Sequence, residues 1–295
     1  YNALSADTIG NRSVAIGMQA LANQNFTSST NTYNTAVGFN AGVSVTTAVN
    51  NTLIGAFTAD SLTTGIHNVA IGRDALGSLT TGGFNVAIGY LALSSEDAHG
   101  SNVAIGRQAL GNQNAGLEAY NVAIGSLAGG AITTGFLNTI IGGLAGDALT
   151  SGNNNTVVGY QALSSDTLGD RNVAIGVQAL AAQNFTSSTD VYNTAVGFNA
   201  GASVTTGIKN TLIGSSAGDS LTDADYNTSL GFGSLGFDQL GSRTTAIGYR
   251  ALGTQRFTSA TDSYNTAVGY DAGLEITTGR FNNLIGGLAG DALTD

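Results

Sequence analysis

A glycine closes a short apolar run sixteen times along this chain of 295 residues. Typical copies are Asn34-Thr-Ala-Val-Gly38, Asn68-Val-Ala-Ile-Gly72 and Asn85-Val-Ala-Ile-Gly89, and the full series is Gly17, Gly38, Gly55, Gly72, Gly89, Gly106, Gly125, Gly142, Gly159, Gly176, Gly197, Gly214, Gly231, Gly248, Gly269 and Gly286. The spacing is 17 residues in most steps, 21 after Gly17, Gly176 and Gly248, and 19 after Gly106. Such a unit is too short for a strand-helix-strand crossover, which takes about 30 residues. It cannot bury an apolar face by itself, so each unit must stack on the next. The spacing therefore predicts an all-β chain: a parallel β-solenoid of about 16 coils, most of 17 residues and some of 19 or 21. At ~4.8 Å per stacked strand, that is a rod on the order of 75 Å long.

Within a unit the period is two, which reads as strand. The residue before the glycine is Ile, Val or Leu in every copy, and two positions earlier stands Val or Thr, with Asn283 the exception. These share one strand face, and the expectation is that they point inward. The alternate face carries mostly Ala and then Gly, which would let a neighbouring chain approach closely. Runs such as Leu62-Thr63-Thr64-Gly65 and Ile132-Thr133-Thr134-Gly135 suggest a second strand closed by a glycine turn.

Four residues before the glycine stands Asn in nearly every coil: Asn34, Asn51, Asn68, Asn85, Asn102, Asn121, Asn138, Asn155, Asn172, Asn193, Asn210, Asn227, Asn265 and Asn282. Stacked coils would bring these amides into a ladder, each bonding the one above and the one below. A higher order lies above the coil. ALANQNFTSSTNTYNTAVGFNAG returns 159 residues later as ALAAQNFTSSTDVYNTAVGFNAG, and the long spacings mark blocks of about residues 17–105, 106–175, 176–247 and 248–295. One continuous repeat domain over 1–295 is expected. Both ends fall in mid-coil with no capping unit, which points to a fragment of a longer array.

Composition narrows function more than fold. A net charge of −10 with scattered Arg disfavours nucleic acid, and no apolar run approaches the ~20 residues of a membrane-spanning helix. Charged residues are 9% of the chain and the only histidines are His67 and His99. Glu96-Asp97 is the only adjacent acidic pair, and neighbours on a strand point apart. No enzyme, cofactor or metal is expected. The weak metal candidate is Asp219, Asp223 and Asp225 in GDSLTDADYN, whose oxygens could hold calcium.

The long coils are the best places for surface contact. Each carries a Phe and a Tyr among small polar residues: Phe26 and Tyr33, Phe185 and Tyr192, Phe257 and Tyr264. Such aromatics suit glycan or surface binding, unless the rings fold back on the coil. Asn25-Phe-Thr27 and Asn184-Phe-Thr186 match the N-glycosylation pattern, which an Asn/Thr-rich chain also produces by chance.

The runs Ser13-Val-Ala-Ile-Gly17, Asn102-Val-Ala-Ile-Gly106 and Asn172-Val-Ala-Ile-Gly176 resemble the head repeat of trimeric autotransporter adhesins, the YadA-like head, whose unit is shorter. The longer NTAVG and TTG units are similar to repeats of bacteriophage tail fibres. The resemblance covers nearly the whole chain. It implies a left-handed roll, three chains about one axis and a role in adhesion, and hence an extracellular, cell-surface or virion location. The expected function is a structural rod of a tail fibre or adhesin shaft supporting attachment, with itself as partner in a homotrimer or fibre and cell-surface glycans as outer partner. The alternatives are an ice-binding solenoid, suggested by the recurrent Thr-Thr-Gly, and a glycan-degrading tailspike.

Overall fold

The structure is a computed structural model that describes all residues from Tyr1 to Asp295. The chain is a parallel β-solenoid of about 16 turns without any helix. It divides into two compact units, residues 1–151 and 152–295. In the first, eight three-residue strands from Val14–Ile16 to Thr139–Ile141 pair in parallel in chain order. In the second, eight more run from Thr156–Val158 to Asn283–Ile285 in the same manner. Equivalent residues face one another from coil to coil, as Val69, Ala70 and Ile71 face Val86, Ala87 and Ile88.

The strand faces are the reverse of the expectation. The middle residue points inward: Ala36, Ala70, Ala87, Ala174 and Ala195 are wholly buried. The flanking Val and Ile point outward, with Ile54, Ile124 and Ile141 each 37% exposed. The coil interior is narrow, and bulk reaches it from elsewhere. Leu76, Leu93 and Leu110, four residues after the glycine, and Leu62 and Leu79, seven residues after it, fill the core. Only a small strand side chain fits opposite them. The Ala-rich face is therefore core and offers no surface to a neighbouring chain.

The second strand is also absent at the Thr-Thr positions. There the amides of both Thr63 and Thr64 donate to the Thr80 carbonyl, at 2.8 and 3.3 Å. Two donors converging on one acceptor make a bend and not an extended ladder. Further strand pairs, each of two residues, occur only at the 21-residue coils: Gly10–Asn11 with Thr30–Asn31, Gly169–Asp170 with Thr189–Asp190, and Gly241–Ser242 with Thr261–Asp262.

Two constraints fix the glycine that ends each strand. Its φ lies between 129° and 144°, a region closed to residues with a Cβ. A Cβ on Gly72 would also sit 2.5 Å from the Gly89 carbonyl oxygen of the next coil. Beyond the glycine the chain turns through left-handed residues such as Asp74 (φ 58°) and Leu76 (φ 53°). Each costs on the order of 1 kcal/mol in intrinsic preference. In return their amides bond adjacent coils in both directions, Asp74 to the Ala56 carbonyl and Leu76 to the Ala92 carbonyl.

The Asn residues lie in a buried column. Asn51 accepts at Oδ1 from the Asn68 backbone N–H (2.9 Å) and from Asn68 Nδ2 (3.2 Å), while its own Nδ2 donates across the coil to the Gly65 carbonyl at 3.0 Å. The same bonds recur at Asn85 and Asn102, at Asn193 and Asn210, and at Asn265 and Asn282. Each amide thus ties the start of its strand to the turn beyond it and to the next coil. The column breaks at the 21-residue coils. Where Ser13 or Thr244 replaces Asn, its hydroxyl pairs with Thr32 or with Ser263 Oγ (2.6 Å). At the third break the facing residue is Val191, and Asn172 Oδ1 has no partner.

Candidate functional site

Each block opens on a buried polar relay that holds a long coil. Gln255 Nε2 donates to Asp238 Oδ2 at 2.6 Å, and Gln255 Oε1 accepts from Asn265 Nδ2 at 2.8 Å. Asp238 Oδ1 also accepts the backbone N–H groups of Gly241 and Phe257. Asp166, Gln183 and Asn193 repeat the set, as do Asp7, Gln24 and Asn34. Burial pushes the Asp166 and Asp238 carboxyls above the ordinary range, while the hydrogen bonds pull the other way. These carboxylates fix where the longer coil departs from the regular path.

That anchoring decides the long-coil aromatics. Phe26, Phe185 and Phe257 are only 6–8% exposed. Their rings lie against the coil, so they are structural and not contact residues, contrary to the expectation. The amides of Phe185 and Phe257 are held by the relay acids, which places the rings at the coil edge facing in. Tyr33, Tyr192 and Tyr264 are the exposed members of the pairs.

Each of these tyrosines has a guanidinium from the preceding coil over its ring: Arg12 at 5.4 Å from the Tyr33 centroid, Arg171 at 5.6 Å from Tyr192 and Arg243 at 5.8 Å from Tyr264. Arg171 also pairs with Asp190, and Arg243 with Asp262. In residues 152–295 this edge extends into a stack in which Lys209 and Arg243 both approach the Tyr226 ring and Tyr264 stacks on Phe281. Reading the arginines as scattered misses this. The available signal was an Arg five residues before the glycine that precedes every 21-residue step, at Arg12, Arg171 and Arg243.

A groove of about 520 Å³ opens beside the third long coil, lined by Asp225, Tyr226, Arg243, Asp262 and Arg280 among others. Carboxylates, guanidinium groups and a phenol in one open groove suit a polyhydroxylated ligand. Of the three acids considered for calcium, Asp223 and Asp225 line this groove and Asp219 does not. Asp223 accepts from Thr206, Asp225 accepts the Ile208 N–H, and Asp219 lines a separate groove with Phe232, Phe237 and Arg250. Asn25 and Asn184 are exposed. His67 stacks on Phe84, and His99 lies beside buried Glu96.

The outward strand face carries no charge. In residues 1–151 it presents Val14, Thr35, Thr52, Val69, Val86, Val103, Val122 and Thr139 in one row and Ile or Val in the other. In residues 152–295 the first row is mostly threonine: Thr156, Thr194, Thr211, Thr228, Thr245 and Thr266. The chain matches no protein-family model, and no curated protein or solved structure is detectably similar to it.

Proposed function

We propose that this chain is a shaft segment of an extracellular or virion fibre that associates laterally with copies of itself and supports attachment to a surface. The observation that carries this reading is the outward strand face, two rows of Val, Thr and Ile, with Leu230 and Asn283 the exceptions and no charged side chain in either unit. An uncharged strip of largely β-branched side chains repeated from coil to coil, apolar along its Ile and Val row, is a mark of a protein interface. Three chains about one axis, as the resemblance implies, would bury it. The long-coil edges stay outside such an assembly, and the groove at Tyr226, Arg243 and Asp262 is the place where a glycan would be held.

Light scattering on the purified chain tests this. A stable trimer that dissociates on Ile88→Lys with Ile213→Lys, at unchanged circular dichroism, is the expected outcome. A wild-type monomer at all concentrations overturns it. A second reading has one specific observation in its favour, the regular outward threonine row in residues 152–295, which is the kind of array an ice-binding face needs. Thermal hysteresis from a monomeric chain would select that reading over the fibre.

A further inference from the structure

Glu96, Asp97 and His99 depart together from a pattern that the chain repeats elsewhere. At the matching places of the other three blocks stand Asp7-Thr8-Ile9-Gly10, Asp166-Thr167-Leu168-Gly169 and Asp238-Gln239-Leu240-Gly241. This one turn therefore gains a longer carboxylate, a second carboxylate and an imidazole. They converge: one ligand atom from each lies within 4.8 Å of the others, and no other His, Asp or Glu group in the chain does this.

The other blocks act as internal controls for what the relay acid needs. Asp7, Asp166 and Asp238 receive Gln Nε2 at 2.5, 2.6 and 2.6 Å, and the last two also accept the backbone N–H of the long-coil Phe. The Glu96 side chain is as buried as those of Asp166 and Asp238, yet Gln113 Nε2 stands 3.4 Å from it, and its one close donor is the His99 backbone N–H at 3.1 Å. A buried carboxylate with weakened hydrogen bonding calls for a cation beside it. His99 Nδ1 supplies an independent sign. It is buried without a hydrogen-bond partner and lies 3.6 Å from Glu96 Oε1.

That separation is too long for a hydrogen bond. It is close to the edge of a metal polyhedron, since two ligands ~2.1 Å from a tetrahedral ion lie ~3.4 Å apart. Asp97 is exposed, so its side chain is free to complete the set. One imidazole and two carboxylates suit zinc and its first-row neighbours, whereas calcium takes oxygen alone. Gln113, which bonds Glu96 on one side and accepts from Asn121 Nδ2 at 2.9 Å on the other, would orient the carboxylate and link the ion to the Asn column.

We propose that Glu96, Asp97 and His99 form a binding site for a zinc-type divalent cation. Isothermal titration of the full chain with zinc chloride at neutral pH tests it, with circular dichroism as the folding control. One zinc per chain is expected, with binding weakened at least tenfold by Asp97→Asn, lost in His99→Ala and unchanged in His67→Ala. The triple variant Glu96→Asp, Asp97→Thr, His99→Gly restores the residues of the other blocks, so it keeps the fold and should bind none. Zinc binding weaker than about 1 mM in the wild type, or binding that persists in the triple variant, overturns the proposal. So does a histidine proton resonance of His99 that titrates identically with and without zinc, which would make Glu96 and His99 a plain ion pair.

Discussion

Leu212 Cδ1 lies 2.6 Å from the point that a Cβ on Gly201 would occupy. The strand of one coil thus fills the space left by the turn of the coil before it. Leu53 does the same over Gly42, and Leu284 over Gly273 at 2.8 Å. Where the strand instead carries alanine, as at Ala87, the turn of the coil before it carries leucine, as at Leu76. Core volume is traded between two positions, so neither is invariant by itself.

Leu212→Ala should therefore open a cavity and destabilise the chain by about 2–5 kcal/mol. Gly201→Leu alone should also destabilise it, by collision with Leu212. The pair Gly201→Leu with Leu212→Ala recreates the arrangement at Leu76 and Ala87 and should recover most of the loss, because Leu180 already occupies the equivalent left-handed position at φ 52°. Denaturant unfolding of the three variants measures the coupling directly.

The Asn column gives a second expectation. Asn68→Ala removes the donor to the Gly82 carbonyl (2.9 Å) and the acceptor of the Asn85 N–H (3.0 Å) in a buried setting. Each group left without a partner costs about 1–3 kcal/mol, so the variant should lose more than 2 kcal/mol. Asn112→Ala, on the exposed surface, should stay within about 0.5 kcal/mol of the wild type. Equal effects in the two variants would remove the column as the reason for the recurring Asn.

The stacking, coil count and polar column were legible because a parallel array brings every seventeenth residue to the same place. Which face points inward was not, because alternation says only that two faces differ. Ordinary bulk rules put Val69 and Ile71 inside and Ala70 out. The answer depends on Leu76 and Leu79 entering the same narrow interior from the turn, a contact outside the strand. The long-coil Phe residues failed for a similar reason, since Phe257 is placed by a hydrogen bond from its own amide to Asp238, one coil earlier. The Arg243 and Tyr264 pairing spans the irregular 21-residue step and so is invisible at a fixed period of 17.

Five aspartates set the pH response. Burial raises the carboxyls of Asp60, Asp147, Asp166, Asp219 and Asp238 above their usual 3.8. A raised folded value means that the folded state takes up protons first as pH falls. Stability is then gained on acidification through the folded values toward 3.8 and lost as pH rises through them. The melting temperature should accordingly rise as pH falls from neutral toward the folded values, the opposite of ordinary acid denaturation. Asp147, whose Oδ1 is buried without a partner, is the informative site: Asp147→Ser should stabilise the chain at neutral pH and flatten the pH dependence. A melting temperature that falls steadily on acidification would show that other groups dominate.

Two glycines separate costs that usually come together. At Gly89, φ is 137° and a Cβ would stand 2.4 Å from the Gly106 carbonyl oxygen. That oxygen belongs to the backbone of a hydrogen-bonded coil and has nowhere to move. Gly89→Ala should therefore add a steric cost to the conformational one, and a loss of more than about 4 kcal/mol is expected, at the extreme of single substitutions. At Gly116, in a bend, φ is also positive, at 69°, but no atom beyond its chain neighbours lies within 4 Å of an added Cβ. Gly116→Ala should cost only the left-handed strain, about 1–3 kcal/mol. Unfolding free energies of the two variants, measured side by side, give the steric cost of one coil meeting the next as their difference. If both cost the same, the strand-ending glycines are required by φ alone, and close coil-to-coil approach has no part in their recurrence.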